Sequence, residues 1–273
     1  MYRRNLTVAA ALAALLALSG CNDSDKKTEA ASDSAVLKVA ATPVPHGEIL
    51  KFVQPQLKKQ GVDLQIVEFT DYLSPNTALA DKSVDINYYQ HIPFLENAKA
   101  AKGYQFSIAA PIHILPMAAY SKRVKDLKDL SEGAQVTIPN DPSNGGRALL
   151  LLEKAGVITL TPGIGVKATT LDIVANPKNL KIVEVEAAQV PRTLDDVDCA
   201  VANSNYAIGV GLNPLKDSIY LEDKDSPYVI VVAARTGEEK NPAVTKLVSA
   251  LKSPEAQKFM IDTYKGSVVP LKD

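Results

Sequence analysis

The chain has 273 residues, with 30 Lys and Arg against 31 Asp and Glu, a formal charge of −1, three histidines and two cysteines. Acidic and basic residues are interspersed with no basic stripe, which argues against a nucleic-acid partner, and two cysteines cannot make a disulfide-stapled framework. A body of this length, once a leader is removed, suits two lobes better than one.

Arg3 and Arg4 precede an apolar stretch at residues 6–18, too short to span a bilayer comfortably, and Leu18-Ser19-Gly20-Cys21 follows. Residues 1–20 therefore read as a signal peptide, and the Leu-Ser-Gly-Cys ending matches a bacterial lipobox, with Cys21 as the lipid-bearing first residue. Residues 21–35 have no apolar period and read as a flexible lipidated tether. Cys199, in an apolar setting, reads as a buried inert thiol. No later apolar run is long enough to cross a membrane.

Residues 36–42 alternate as a first strand and lead into the turn Pro43-Val44-Pro45. Ile49, Leu50, Val53 and Leu57 recur at helical spacing up to Gly61, with Pro55 expected to bend the helix. Residues 64–69 read as a second strand, and Ser74-Pro75 as a helix start with a hydroxyl N-cap. A third strand from Val84 ends in Asn87, Tyr88, Tyr89, Gln90 and His91; rings and amides at the carboxyl end of a strand in an open parallel sheet point to a small-molecule pocket. Residues 94–101 read as a helix stopped by Gly103. The apolar run 106–120, interrupted by Pro111 and Pro116, suits a crossing between lobes. A strand at 134–138 precedes a helix that starts near Ser143 or Asn144 and carries Arg147 in its first turn. Free N–H groups, a positive dipole end and a guanidinium make a carboxylate or phosphate site there. Residues 163–168 resemble a dinucleotide fingerprint but follow no strand, and are set aside. A strong strand at 228–234 is a natural return crossing, and helices at 243–251 and 255–264 close the chain.

One unit occurs twice. The segment 64–69, LQIVEF, is echoed by 180–185, LKIVEV, and each copy leads through a proline and a leucine to a Val-Asp pair, Val84-Asp85 and Val197-Asp198. Each pair opens a short strand that ends in asparagine near tyrosine: Asn87 with Tyr88, and Asn203 with Tyr206. Two similar α/β lobes facing across a cleft are expected, the first from residues 36–120 plus 228–273 and the second from residues 121–227. Chemistry is sparse. There is no G-x-S-x-G and no His-Glu-x-x-His, and His46, His91 and His113 are dispersed, so neither a metal nor a cofactor is expected. His46 can cap or line the cleft, and His113 packs in the crossing strand. An exported hydrolase using His91 with Asp71 or Asp85 lacks a placed nucleophile, and a metal receptor is a third class.

The lipobox and the segments TPVPHGEIL (42–50), EFTDYLSPNTALADKSVDINYYQH (68–91), IPNDPSNGGRALLLLEKAG (138–156), NPKNLKIVEVEAAQ (176–189) and LDDVD (194–198), with the later asparagine, resemble the NlpA/MetQ family of substrate-binding lipoproteins from about residue 36 to 269. The resemblance implies an α/β, two-lobed periplasmic-binding-protein fold of type II with the ligand between lobes. It implies a non-enzymatic receptor that delivers L-methionine to the permease and ATPase subunits of an ABC importer, held by its lipid at the cell envelope and facing the periplasm or exterior. Carried over position by position, the aromatic wall of the family's site matches Phe69, Tyr72, Tyr88 and Tyr89. The amino-acid head contacts match His91, Asn144, Arg147 and Asn203, with Tyr206 close by. Another small amino acid, D-methionine or a methionine-containing dipeptide are the alternative ligands. Val44, Gly47 and Ile230 depart from the family pattern, which has glycine, alanine and asparagine there.

Overall fold

The computed structural model describes residues 34–223 and 226–271; the expected signal peptide, Cys21 and nearly all of the expected tether lie outside the described residues. In chain order the main elements are β1 (Ala35–Ala41), α1 (Glu48–Lys59), β2 (Val62–Glu68), α2 (Ser74–Ala80), β3 (Ile86–His91), α3 (Ile92–Lys102), β4 (Phe106–Ile114) and β5 (Ala118–Tyr120). Then come β6 (Gln135–Pro139), α4 (Pro142–Lys154), β7 (Thr159–Leu160), β8 (Ile173–Ala175), β9 (Lys181–Val185), β10 (Cys199–Ala202), α5 (Ser204–Gly209) and β11 (Ser218–Leu221). The chain closes with β12 (Val229–Arg235), α6 (Pro242–Leu251), α7 (Pro254–Tyr264) and β13 (Val269–Pro270).

Two large sheets form, with orders β13-β4-β12-β3-β1-β2 and β11-β5-β10-β6-β9, and β7 and β8 make a separate antiparallel pair. The sequence repeat is visible in this topology: β2-β1-β3 matches β9-β6-β10, all parallel, and each set is continued by an antiparallel strand, β12 or β5. The Val-Asp pairs have a physical reason. Asp85 donates its N–H to the Lys38 carbonyl and accepts the Lys38 N–H at 2.7 Å, and Asp198 does the same with Gln135 at 2.8 Å. Each carboxylate thus ties an incoming strand to the start of its neighbour. Hydrogen bonds from Gln135 and Arg123 hold Asp198 below the usual carboxylate range.

Both faces of each sheet are covered, so the central strands are largely apolar, with the buried polar residues Asn87, Gln90 and His91 of β3 as the main exception. Leu37, Val39, Ile86 and Val232 pack against Leu50, Leu57, Leu247 and Met260 on one side of the first sheet, while Ala40, Val231 and Ala233 meet Leu79 and Leu95 on the other. In the second, Val136, Ile138 and Val201 bury Leu149 and Leu152 of α4, and Ala200 and Ala202 bury Val190 and Leu194. Cys199 is fully buried in this core, as expected, and desolvation pushes its thiol up to about 12.

Helix α1 spans Glu48–Lys59 with Pro55 inside it, at the helical spacing expected. Two local expectations differ from the structure. Ser74 does not cap α2; Asp71 Oδ1 accepts the N–H groups of Leu73 and Ser74, both at 2.7 Å, in an Asx-turn that does the same work. The chain also leaves the first sheet after Ile114, since Ala118–Tyr120 pairs with β10 and β11 in the second, ahead of the expected lobe boundary at residue 120. The return passes between Leu221 and Val229.

Candidate functional site

The strand end that organises the sequence is distorted by a bulge. Opposite β12, His91 pairs with Ile230 and Tyr88 with Val232, so Tyr89 and Gln90 together face the single residue Val231. The extra residue turns Tyr89, Gln90 and His91 toward one chamber. Tyr88 lies before the bulge and points into the core of the first sheet. There it is fully buried, its hydroxyl 2.7 Å from His113 Nδ1 and its ring edge-on to His46.

The second sheet contributes the N-terminus of α4 and the end of β10. Asp141 caps α4, accepting the Asn144 N–H at 3.0 Å, and its two oxygens also accept from Asn144 Nδ2. Gly145 and Gly146 let this turn sit close: a Cβ on Gly145 would lie 2.9 Å from the Pro139 carbonyl oxygen, and one on Gly146 2.8 Å from that of Val166. Asn144 Oδ1 accepts from Asn203 Nδ2 at 2.7 Å and from His91 Nε2 at 3.0 Å, which joins the two sheets. His91 Nδ1 accepts the Phe94 N–H and caps α3, so its proton is on Nε2. Burial and the neighbouring Arg147 cation lower His91 to about 3, and it is neutral at pH 7. A further tie runs from the Tyr72 hydroxyl to Asn205 Oδ1 at 2.5 Å, and another from the Tyr206 hydroxyl to the Thr70 carbonyl at 3.1 Å.

The resulting chamber has an aromatic side, Tyr72, Tyr89 and Phe94, and a polar side, Asn144, Arg147, Asn203, Ser204 and Asn205, with Leu115 from the first crossing and Ile230 from the start of β12. Asn203 Oδ1 and Asn205 Nδ2 are buried without a partner, and such groups each cost about 1–3 kcal/mol. One is an acceptor and the other a donor, so a small ligand carrying both functions satisfies them together. The space between the side chains is about 20 Å³, room for about one water, so anything larger enters only as the two sheets part or the rings swing. Asn205 also borders a wider cleft of about 420 Å³ beside Thr70, Asp71 and Tyr206, an antechamber to this site.

Arg147 is buried and does not wait unpaired. Its Nε donates to Glu222 Oε1 at 2.9 Å, its Nη2 donates to Glu222 Oε2 and to the Leu115 carbonyl, and the Tyr228 ring lies 4.2 Å below the guanidinium. Sequence reasoning found Arg147 from the helix start and Gln90 within the strand-end cluster, but assigned no site role to Glu222, Tyr228, Phe94, Ser204 or Asn205. Of those, Phe94 follows the strand-end cluster and Ser204-Asn205 follow Asn203, while Glu222 and Tyr228 stood beside no site motif.

Of the residues expected in the site, Tyr72, Tyr89, His91, Asn144, Arg147 and Asn203 come together around the chamber. Tyr206 lines the antechamber, with its ring 4.7 Å from Tyr72. Phe69 packs beside Leu79 and Leu95 under the first sheet, and Tyr88 lies in the core; neither lines the chamber. His46 is in that core as well, paired with Thr42 Oγ1 and stacked on His113 at 5.4 Å, and so does not line the cleft. The hydrolase geometry is absent among the described residues: both His91 nitrogens are committed, Asp71 caps α2, and Asp85 ties β1 to β3. Those residues also hold no cluster of three or more candidate metal ligands.

The buried histidines give the fold an acid limit. Desolvation, with the neighbouring His113 adding to it, holds His46 well below 6.5, and desolvation lowers His113 to about 3. His91 and His113 are neutral when folded but take up a proton below about 6.5 when unfolded, so the unfolded state binds more protons between about pH 6.5 and 3 and stability falls on acidification, with His46 acting in the same direction. His91 and His113 each contribute a loss of about 2 kcal/mol between pH 7 and 5. In urea titrations at the two pH values, His113→Gln is expected to shrink the difference by about that amount; an unaltered difference would contradict this assignment.

Comparison with known proteins agrees with this architecture. The model of the NlpA lipoprotein family matches residues 37–272. The D-methionine-binding lipoprotein MetQ of Salmonella typhimurium is 42% identical over 262 residues, 95% of this chain and 94% of the relative. Outer membrane lipoprotein 3 of Mannheimia haemolytica is 40% identical over 255 residues, 93% of this chain and 94% of that one. A nutrient-binding protein of Burkholderia cenocepacia, solved bound to methionine, superimposes with a TM-score of 0.84 at 45% identity, covering 86% of this chain and all of the other.

Proposed function

The chain belongs to the NlpA lipoprotein family, and on that premise we propose that it is a lipid-anchored receptor that closes on L-methionine and hands it to the permease and ATPase subunits of an ABC importer. It performs no chemistry on its ligand. The observation that carries the reading is the pairing, in one buried chamber, of an aromatic side with a polar side that has an unsatisfied acceptor, an unsatisfied donor and a guanidinium. A thioether is well served by the edges of Tyr72, Tyr89 and Phe94. Arg147 and Asn205 Nδ2 suit a carboxylate, and Asn203 Oδ1 suits an ammonium. Binding energy favours the closed arrangement, in which Tyr72, Asn205, His91 and Asn144 bond across the lobes.

D-methionine is the second reading, favoured by the names of several relatives. Mass spectrometry of gently purified protein tests the class: a retained methionine, resolved by chiral chromatography, names the isomer, and a retained metal ion would sink the amino-acid reading.

The anchor is proposed on Cys21, in the lipobox. Among the described residues no helix is long and apolar enough to cross a membrane. Cys21→Ala is expected to leave a folded body that no longer partitions into detergent. Equal partitioning of variant and wild type would contradict the lipobox assignment.

A further inference from the structure

We propose that Glu222 sets the charge selectivity of the chamber, admitting a ligand of zero net charge and disfavouring anions and cations of the same shape. The inference rests on the amino-acid reading of the site. Among the described residues that line the chamber, Arg147 is the only ionised side chain, because His91 is neutral. Arg147 has a permanent counter-ion in Glu222, held at two points, on Nε at 2.9 Å and on Nη2. Glu222 is itself fixed, since its Oε2 accepts the Met117 N–H at 3.0 Å.

The pair therefore spans both crossings. Leu115 and Met117 belong to the first, between β4 and β5, and Glu222 and Tyr228 to the second, between β11 and β12. The other carboxylates nearby stand outside the chamber: Asp141 accepts hydrogen bonds at the N-terminus of α4, Asp71 does so at the start of α2, and Asp223 pairs with Lys154 at the exposed rear. The buried ion pair is thus neutral before a ligand arrives. A zwitterion places its carboxylate on Arg147 and adds no net charge, whereas an anion leaves one buried charge uncompensated, as does a cation of opposite sign. Without Glu222 the chamber would carry a net positive charge and the preference would shift toward anions.

The test uses three ligands of nearly one shape: methionine, its 2-hydroxy analogue with net charge −1, and methioninamide with net charge +1. Affinities are measured by calorimetry on wild type and Glu222→Gln, which keeps the side-chain shape and removes the charge. The ratio of methionine to hydroxy-analogue affinity is expected to fall roughly tenfold or more in the variant, while the ratio of methionine to methioninamide affinity rises. A purely structural role would weaken all three in proportion, and that result would overturn the proposal. Glu222→Asp keeps the charge and serves where the glutamine variant does not fold. Its two ratios are expected to stay within about twofold of wild type, and a tenfold shift in either would equally overturn the proposal. Failure of wild type to bind any of the three ligands is a different outcome: it removes the amino-acid reading itself, and this inference with it.

Discussion

Arg147→Ala is expected to weaken methionine and alanine alike, by on the order of 2–5 kcal/mol, or about 30-fold or more in affinity. The carboxylate is common to both ligands, and the variant leaves it desolvated without a cation. The same substitution has a second cost. Glu222, whose side chain is 16% exposed, and the Leu115 carbonyl both lose their buried partner. Removing one member of a buried pair typically destabilises by about 3–5 kcal/mol, reduced here because Glu222 is not wholly buried. A thermal melt without ligand is therefore expected to show a large loss beside the loss of affinity in calorimetry. Methionine binding at wild-type strength would mean that the carboxylate is held elsewhere.

The second large effect separates two adjacent tyrosines. Tyr88→Ala is expected to cost about 3–5 kcal/mol of stability, because it empties a ring-sized space beside the stacked His46 and His113 and leaves His113 Nδ1 without a partner. The preference of the folded variant for methionine over alanine is expected to be unchanged. Tyr89→Ala is expected to do the reverse. Its ring stands 6.0 Å from that of Tyr72 on the chamber side, and its loss narrows the preference for methionine. Denaturant titrations and calorimetry on both variants check this. A narrowed preference in Tyr88→Ala with Tyr89→Ala left unaltered would reverse the assignment.

The two tyrosines also mark where sequence stops being informative. Strand periodicity assigns Tyr88 and Tyr89 to opposite faces, but nothing in INYYQH announces the bulge that brings Tyr89, Gln90 and His91 to one side, since the bulge is defined by pairing with Val231 on a strand 140 residues away. By contrast, the paired Val-Asp motifs were readable, because each acts locally at a strand start and occurs twice. The start of α4 was readable for the same reason: Asp141, Pro142, Gly145 and Gly146 shape one turn and fix where Arg147 points. Glu222 carried no signal. It follows β11 among other charged residues, and its role arises only because two crossings distant in sequence run side by side. The N-cap of α2 fell between these cases: Ser74-Pro75 located the helix correctly, while the oxygen that satisfies its start came from Asp71, three residues earlier.

The central claim is that one chamber reads both ends of a methionine. Calorimetry on protein that has been unfolded, dialysed and refolded, titrated with L-methionine, D-methionine and alanine, tests it most directly. The expected result is one site per chain, tightest for L-methionine and markedly weaker for alanine, which shares its charged groups but reaches none of the rings. Equal affinity for methionine and alanine, or no binding of either methionine isomer, would contradict it.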